Sequence, residues 1–404
     1  MTFATLWSEL EPIGRCAQTG GYRRYSWTAA DSECRAWFVK QAQARGLEVA
    51  VDKNGNLWAW WGKRGPGAVV TGSHLDSVPD GGAFDGPLGI VSALAAVDLL
   101  REQGAEPVRP VAVTAFVEEE GARFGVACLG TRLLTGMIEP ERARRLADDQ
   151  KATYAEAMTQ AGLDPDGIGA DDELIGDIGA FVELHVEQGR ALAPLGHAVA
   201  IAESIWPHGR WRLDFTGVAD HAGTARFADR RDPMLPYAST VLAARRAAAE
   251  RGALATFGKV IAEPGGANGV PSAVHAWLDA RAPEEAVLRD TVTTVCSAAE
   301  RAAAEQGVSF SVRQESATPV VRFDRDLRGR ISAVLGSVLD GPVPVLPTGA
   351  GHDAGVLAAR VPAAMLFVRN PTGISHSPAE HADLADCEAG VRALAAVLRE
   401  LACQ

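Results

Sequence analysis

The sequence predicts an α/β protein into which a smaller α+β domain is inserted. Apolar segments typical of buried strands alternate with helical segments in the first 200 residues and again near the C-terminus. Polar side chains follow several of these strands directly, which is where open α/β sheets place their sites. Between about residues 210 and 318 the pattern changes to strands of alternating polarity and two long helices.

The outer segments predict one discontinuous domain, residues 1–209 and 319–404. A buried strand is predicted for GAVVTGSH, and a helix for PLGIVSALAAVDLLREQGA, with Pro87 near its start and Gly104 past its end. RPVAVTAFVEEEG and GAFVELHVEQG predict two more strands that end in polar residues. The sheet resumes with VPAAMLFVRN, and ADCEAGVRALAAVLRELA predicts a terminal amphipathic helix.

The inserted segment, residues 210–318, predicts a ferredoxin-like domain. RWRLDFTG is an alternating strand, followed by a helix over about 234–251. TFGKVIAE and SAVHAWLDARA predict two strands, a second helix covers about 283–306, and VSFSVRQ predicts the last strand. The order β-α-β-β-α-β is that of the split ferredoxin-like motif.

Charge, apolar stretches and cysteine spacing disfavour several classes of protein. The 404 residues carry a formal net charge of −12, which disfavours nucleic acid and anionic membranes as partners. The N-terminus lacks the pattern of a signal peptide, and the longest apolar stretch is too short to cross a bilayer. Six scattered cysteines without a C-x-x-C pair require no disulfide framework. We therefore expect a cytoplasmic protein.

The polar groups at strand ends have the chemistry of a metal site. They are His74, Asp76, Asp85, Glu118, Glu119, Glu120, His185, Glu187 and His376. Imidazole and carboxylate ligands suit zinc, and also manganese or cobalt, and two ions that share one carboxylate need about this inventory. Asp76, two residues after His74, is expected to accept the second imidazole N–H of that ligand. Taken singly, each piece also fits a solvated loop, acidic face or turn, and the predicted convergence at one sheet favours the metal site.

Eight segments together resemble one known family. They are GSHLDSVPDGGAFDGPLG, FVEEEGARFG, ELHVEQG, ADHAGT, RRDP, GANGVPSAVHAWLDAR, GAGHDAG and ISHSPAEH. In this order they resemble the carbamoylase and ureido-amidohydrolase branch of the M20 metallopeptidases over nearly the whole chain. The resemblance implies a dinuclear-metal exopeptidase-like α/β/α catalytic domain, with the inserted domain acting as lid and dimerisation domain.

The resemblance also implies roles for individual residues. The metal ligands would be His74, Asp85, Glu120, His185 and His376, with Asp85 bridging two divalent ions, Zn²⁺ or Mn²⁺ with Co²⁺ or Ni²⁺ as alternatives. Glu119 would be the general base and Asp76 would orient His74. The substrate contacts would be Gln188, His208, Asn268 and Arg281. His221 would lie at the domain interface, and a homodimer would form through the inserted domain.

Two segments depart from the family pattern. HAGTARFADRRDP has Arg226 and Phe227 where relatives usually have Thr-Pro-Met, and FVRNPTGISH differs in length and content. We expect Arg369, Asn370 and Thr372 to line a changed substrate pocket. These departures leave the metal chemistry intact and leave the substrate open.

The resemblance predicts an amidohydrolase that removes the carbamoyl group from an N-carbamoyl-L-amino acid, releasing ammonia, carbon dioxide and the amino acid. Allantoate, or another linear ureido or amide compound with a carboxylate, is the alternative substrate. A peptidase or aminoacylase is less favoured, because peptidase branches usually have a carboxylate where His185 stands. A non-catalytic binder should have lost a ligand or the base, and no such loss is evident.

Overall fold

The computed structural model describes residues 2–339 and 341–403. Its contacts divide the chain into two compact units, Met1–Glu203 with Arg322–Gln404, and Ser204–Val321. The sequence-based domain limits, 1–209 with 319–404 and 210–318, lie within seven residues of these. None of the helices among the described residues combines the length and apolar character that a membrane span needs.

Strands and helices are interspersed along the chain. The strands are β1 (Glu48–Val51), β2 (Leu57–Trp61), β3 (Ala68–His74), β4 (Val111–Phe116), β5 (Ile178–Val186), β6 (Val199–Ile205), β7 (His208–Thr216), β8 (Asp220–His221), β9 (Leu254–Glu263), β10 (Gly269–Val270), β11 (Ala273–Arg281), β12 (Ser309–Thr318), β13 (Val321–Arg322), β14 (Val345–Thr348) and β15 (Ala363–Val368). The helices are α1 (Phe3–Leu10), α2 (Ala29–Ala44), α3 (Pro87–Glu102), α4 (Leu129–Leu134), α5 (Pro140–Arg144), α6 (Tyr154–Gln160), α7 (Asp172–Asp177), α8 (Leu192–Leu195), α9 (Met234–Arg251), α10 (Glu285–Glu305), α11 (Arg325–Val338), α12 (Asp353–Leu357) and α13 (Leu384–Ala402).

The first unit is built on a mixed sheet with the strand order β1-β2-β4-β3-β5-β15-β6-β13, with β14 paired to β6. Its centre is parallel: β3 pairs in parallel with β4 and β5, and β15 pairs in parallel with β5. The carboxyl ends of these four strands therefore meet at one edge, where the predicted site residues begin. The outer strands β1, β2 and β6 have antiparallel neighbours, and residue patterning had not predicted them.

Apolar burial explains why β3 and α3 form where they do. Every residue of β3 is buried, as expected for a central strand covered on both faces. Helix α3 begins with Pro87, which needs no N–H partner, and contributes twelve buried residues to the same core. The terminal helix α13 packs beside α3, also with twelve buried residues. The predicted α/β class is thus confirmed.

The second unit is a four-stranded antiparallel sheet in the order β12-β7-β11-β9. Residues along β11 alternate strictly between buried and half-buried, so one face of this sheet enters the core. Helices α9 and α10 pack on that core, which includes Leu213, Phe215 and Val295. This is the predicted ferredoxin-like arrangement, with the short pair β8 and β10 added.

Candidate metal centre

The site lies in the first unit, at the carboxyl edge of the parallel strands. His74 is the last residue of β3, and His185 is the next-to-last residue of β5. Strand β4 runs into the acidic triplet, and β15 leads into the loop that carries His376. Glu118 and His376 both have a positive φ of 53°, an unusual backbone conformation that sets the direction of their side chains.

Asp85 is the centre of the cluster. Its Oδ1 lies 3.1 Å from His185 Nε2 and 3.6 Å from His74 Nε2. Its Oδ2 lies 3.3 Å from His376 Nε2, which is itself 3.5 Å from Glu120 Oε2. Two candidate metal-binding groups result, His74–Asp85–His185 and Asp85–Glu120–His376, and Asp85 belongs to both. The structure therefore brings together all five predicted ligands.

The donor atoms fit a bound cation. The Nε2 atoms of His74 and His185 are buried, and neither has a hydrogen-bond partner of acceptable geometry among the residues that the structure describes. Buried polar atoms without partners are costly unless a ligand satisfies them. Imidazole nitrogens and carboxylate oxygens at such spacing are the ligands that zinc and related divalent ions take.

The pKa values of the carboxyl groups in the cluster also favour a bound cation. Burial raises the pKa of Glu119 well above its usual range and that of Glu120 to about 8. Burial acts in the same direction on Asp85, but close contacts with His185, His376 and His74 outweigh it and lower the pKa of that carboxyl. A cation among these groups would offset the mutual repulsion of carboxylates that share one buried cavity.

Glu119 lies beside the ligands. Its Oε2 is 3.7 Å from His74 Nε2, and its Oε1 is 3.4 Å from the thiol of Cys128. The Cys128 N–H also donates to the main-chain carbonyl of Glu119, at 2.6 Å. The predicted base is therefore buried, held at both its main chain and its side chain, and adjacent to a predicted ligand.

Asp76 makes contacts that differ from the expectation. The nearest acceptor of His74 Nδ1 is the main-chain carbonyl of Asp76, at 3.0 Å, while the Asp76 carboxylate lies 3.6 Å away. That carboxylate instead accepts the main-chain N–H groups of Glu119, at 3.2 Å, and Glu120, at 3.0 Å. Asp76 thus holds the acidic triplet as well as the imidazole.

The predicted substrate contacts fall into two places. Gln188 lies in the first unit, where its Nε2 donates to Asp85 Oδ2 at 2.7 Å. The other three lie in the second unit. His208 on β7 is directly opposite Arg281 on β11, and Arg281 also contacts Asp279 at 2.8 Å.

Asn268 is exposed next to the loop that carries His221. Its carbonyl accepts the N–H of Ala222 at 3.0 Å. His221 Nδ1 in turn accepts the N–H of Gly223 at 3.1 Å, which is the geometry of a capped turn. The ring of His221 is exposed within this unit.

The polar groups of the FVRNPTGISH segment have partners within the first unit, and their role in the substrate pocket stays a prediction. Arg369 donates two hydrogen bonds to Asp386, at 2.7 and 2.9 Å. The buried Asn370 accepts from Thr372 and Gly373 and donates to the carbonyl of Ile374. These contacts shape the loop that delivers His376. Arg226 and Phe227 are highly exposed in the second unit, and Arg226 pairs with Asp229.

Sequence reasoning missed three buried residues at the site. His352 packs edge-on against His185, with ring centroids 4.4 Å apart, and Glu183–His185–His352 forms a third group of potential ligands. Glu183 accepts from Ser73 and from the N–H of Ala354. Glu380 accepts from the main chain of Asp85 at 3.0 Å. The GAGHDAG and SHSPAEH segments contained the signal for His352 and Glu380, but no ligand spacing singled these residues out.

Comparisons with family models, curated proteins and solved structures all point to one family of hydrolases. The model of peptidase family M20/M25/M40 matches residues 70–400. An N-carbamoyl-L-amino acid amidohydrolase of Geobacillus stearothermophilus is 36% identical, covering 98% of each chain. The allantoate amidohydrolase of Escherichia coli K12 is 32% identical, covering 95% of this chain and 94% of its own. A crystal structure of a hydantoinase/carbamoylase family amidase from Burkholderia vietnamiensis has a TM-score of 0.90 at 30% identity and covers 100% of this chain and 98% of that one.

Proposed function

We propose, from the premise that this chain belongs to peptidase family M20/M25/M40, that it cleaves the ureido C–N bond of N-carbamoyl-L-amino acids with two divalent metal ions. Membership makes the chain a metal-dependent hydrolase of linear amide or ureido bonds, of the carbamoylase or allantoate amidohydrolase type. The choice of N-carbamoyl amino acids over allantoate is supported by the higher identity, 36% against 32%.

The observation that carries the proposal is the pair of candidate metal groups joined by Asp85. His74 and His185 would hold one ion, Glu120 and His376 the other, and Asp85 would be shared. Bound there, the ions would supply Lewis-acid polarisation of the ureido carbonyl, which is otherwise a poor electrophile. Zn²⁺ and Mn²⁺ are our first candidates, with Co²⁺ and Ni²⁺ as alternatives, because all accept imidazole and carboxylate ligands.

Glu119 is the proposed general base. It would accept a proton from the attacking water and deliver it to the leaving nitrogen. Burial raises its pKa above the usual range, and bound cations would oppose that shift, so the carboxyl group could take up a proton and return it. The thiol of Cys128 and the main-chain contacts from Asp76 and Cys128 limit the positions that its side chain adopts.

Gln188 is the proposed ureido contact in the first unit. Its Nε2 is engaged with Asp85, whereas its Oε1 is buried and lacks a hydrogen-bond partner within the described part of the chain. A carboxamide oxygen in this state accepts an N–H readily, and the ureido group offers several. Gln188 would thereby orient the scissile bond.

His208, Asn268 and Arg281 are the proposed contacts from the second unit, together with a lid and dimerisation role for that unit. The guanidinium of Arg281 matches a substrate carboxylate at two points. His208 and Asn268 would donate hydrogen bonds to the substrate carboxylate or to negative charge that develops on the carbonyl oxygen. The expected assembly is a homodimer, which light scattering of the purified protein tests: a monomer mass at working concentrations would contradict it.

Ammonia release measures turnover of the ureido substrates, and release of free amino acids measures turnover of dipeptides. Protein loaded in turn with Zn²⁺ and Mn²⁺ is assayed against N-carbamoyl-L-amino acids, allantoate and dipeptides side by side. We expect the highest kcat/KM on an N-carbamoyl-L-amino acid. A higher value on allantoate, or turnover of dipeptides alone, would refute the substrate assignment.

The base assignment has its own test. Glu119→Gln keeps the shape of the side chain and removes its proton-transfer capacity, so kcat should fall by about 10²–10⁴-fold. Metal content, measured by mass spectrometry, should stay at the wild-type value because Glu119 is not a proposed ligand. Near-wild-type turnover in this variant would exclude Glu119 as the base.

A further inference from the structure

A buried carboxylate outside the proposed ligand set joins two parts of the site. Glu380 is 5% exposed, and its Oε1 accepts the main-chain N–H groups of Phe84 at 2.9 Å and Asp85 at 3.0 Å. Its Oε2 accepts the hydroxyl of Ser375 at 2.9 Å. We propose that Glu380 is a positioning residue that fixes Asp85 relative to the loop of His376, and so sets the affinity for the ion shared by Asp85, Glu120 and His376. This inference rests on the proposed two-metal function.

The contacts of Glu380 reach both sides of that ion site. Residues 85 and 380 are 295 positions apart, so their contact is a tertiary tie between two loops. Ser375 precedes His376 directly, and its hydroxyl lies 3.4 Å from Asp85 Oδ2 as well as bonding Glu380. One carboxylate therefore restrains the backbone of one ligand and the neighbour of another.

The surroundings of Glu380 leave it little freedom. A methyl group placed on Gly82 would lie 2.3 Å from Glu380 Oε1 and 2.4 Å from its Cβ, so the glycine backbone packs directly against this side chain. Both carboxylate oxygens already receive donors, three in all, which distinguishes Glu380 from the proposed ligands. Its chemistry is that of an outer partner that orients a ligand.

The two ions should depend on Glu380 unequally. His74 and His185 project from central strands of the sheet, so their positions do not require Glu380. His376 lies on a loop, is half exposed at its side chain, and has a positive φ of 53°. Loss of Glu380 should therefore weaken mainly the ion on the His376 side, by the 10–100-fold typical of outer-partner mutations.

The experiment measures Zn²⁺ binding without substrate. Wild type, Glu380→Ala, Glu380→Gln and the control Glu388→Ala, an exposed glutamate on α13, are stripped of metal and titrated with Zn²⁺ against a chromophoric chelator. For Glu380→Ala we expect the ion on the His376 side to bind about 10–100-fold more weakly, and the other ion, which shares Asp85 but is also held by His74 and His185, to lose less affinity. Glu388→Ala should match wild type.

Glu380→Gln should recover most of the lost affinity. Its amide oxygen still accepts the two main-chain N–H groups, and its amide nitrogen can donate to Ser375. A loss in Glu380→Gln as large as in Glu380→Ala would overturn the hydrogen-bonding account, and wild-type binding of both ions by Glu380→Ala would overturn the proposal itself.

Ser375→Ala keeps the proposal falsifiable if Glu380→Ala does not fold. This change removes one of the three contacts and should weaken the same ion several-fold, and unchanged Zn²⁺ binding would then overturn the proposal. Because no substrate is present, a failure of the proposed reaction would appear only in the ammonia assay of the wild type. The two failures are therefore distinguishable.

Discussion

Replacing Gly86 with alanine tests the placement of His74 beside Asp85 without substituting either proposed ligand. Gly86 precedes α3 and has φ 81° and ψ −57°, a conformation that residues with a side chain rarely adopt. A Cβ built there would lie 2.5 Å from Cε1 and Nδ1 of the His74 ring. The ring cannot simply rotate away, because its Nδ1 is 3.0 Å from the Asp76 carbonyl and it stacks on His185. We therefore expect the imidazole to move from its position facing Asp85.

Two energies follow from this geometry. The positive φ alone should cost about 1–2 kcal/mol of folding free energy. The displaced imidazole should cost metal affinity, about 10–100-fold, as for other changes that misplace a ligand through its neighbours. A fold-change of that size corresponds to about 1.4–2.7 kcal/mol of binding free energy.

Gly104→Ala is the matched control. Gly104 also has a positive φ, 68°, but nothing lies within 4 Å of a Cβ built there. Both variants should lower the thermal midpoint of the metal-free protein by a few degrees, about 2–4 °C per kcal/mol for domains of 150–250 residues. Only Gly86→Ala should bind Zn²⁺ more weakly in a chelator competition. Equal Zn²⁺ affinity in the two variants would refute the role of His74 as a ligand.

Three further outcomes are expected. Cys128→Val should lower kcat about 3–10-fold with KM and Zn²⁺ content unchanged, because it removes the thiol that donates to Glu119 at 3.4 Å. Cys128→Ser supplies a hydroxyl donor instead and should restore kcat. Zn²⁺ binding should release more protons at pH 7 than at pH 10. Burial raises the pKa of Glu120 to about 8, and the contact with Asp85 raises that of His376 to about 9, so both groups carry a proton at pH 7 that Zn²⁺ must displace. Calorimetry in buffers of different ionisation heat measures the number of protons released. Burial raises the pKa of Asp31 to about 6, so its protonated form stabilises the fold below pH about 4 and that stability is lost as pH rises through 6. Asp31→Asn should therefore raise the thermal midpoint at pH 8 and not at pH 4. The corresponding gain in folding free energy at pH 8 should be at most about 3 kcal/mol.

Each of these has a contrary result. A Cys128→Ser variant as slow as Cys128→Val would show that the loss arises from packing. Equal proton release at pH 7 and pH 10 would mean that Glu120 and His376 are already in their ligand forms before Zn²⁺ binds. A midpoint of Asp31→Asn that follows the wild-type value at every pH would show that Asp31 does not titrate with folding.

The elements that local pattern specifies were predictable from the sequence. The helix expected over about 234–251 is α9, Met234–Arg251, and the strand expected in GAVVTGSH is β3, Ala68–His74. These follow from residue periodicity and from end signals such as Pro87, which act within a few residues. Convergence of the polar groups that follow the strands was also predictable, because the ends of parallel strands meet at one edge, whereas the choice of His74, Asp85, Glu120, His185 and His376 among them came from the family resemblance.

Tertiary structure decided which partner each polar group takes. Asp76 lies two residues from His74, yet its carboxylate accepts from the acidic triplet more than 40 positions away. The fold also places Asp386 beside Arg369 and Glu380 against the main chain of Asp85, and neither contact is evident in the sequence. A hydrogen bond is satisfied by whatever group the packed chain brings within about 3 Å, and no periodicity in the sequence records that distance. The sequence therefore determined the strands, the helices and the chemical types at the site, and packing alone determined which of those groups face one another and which hold the others in place.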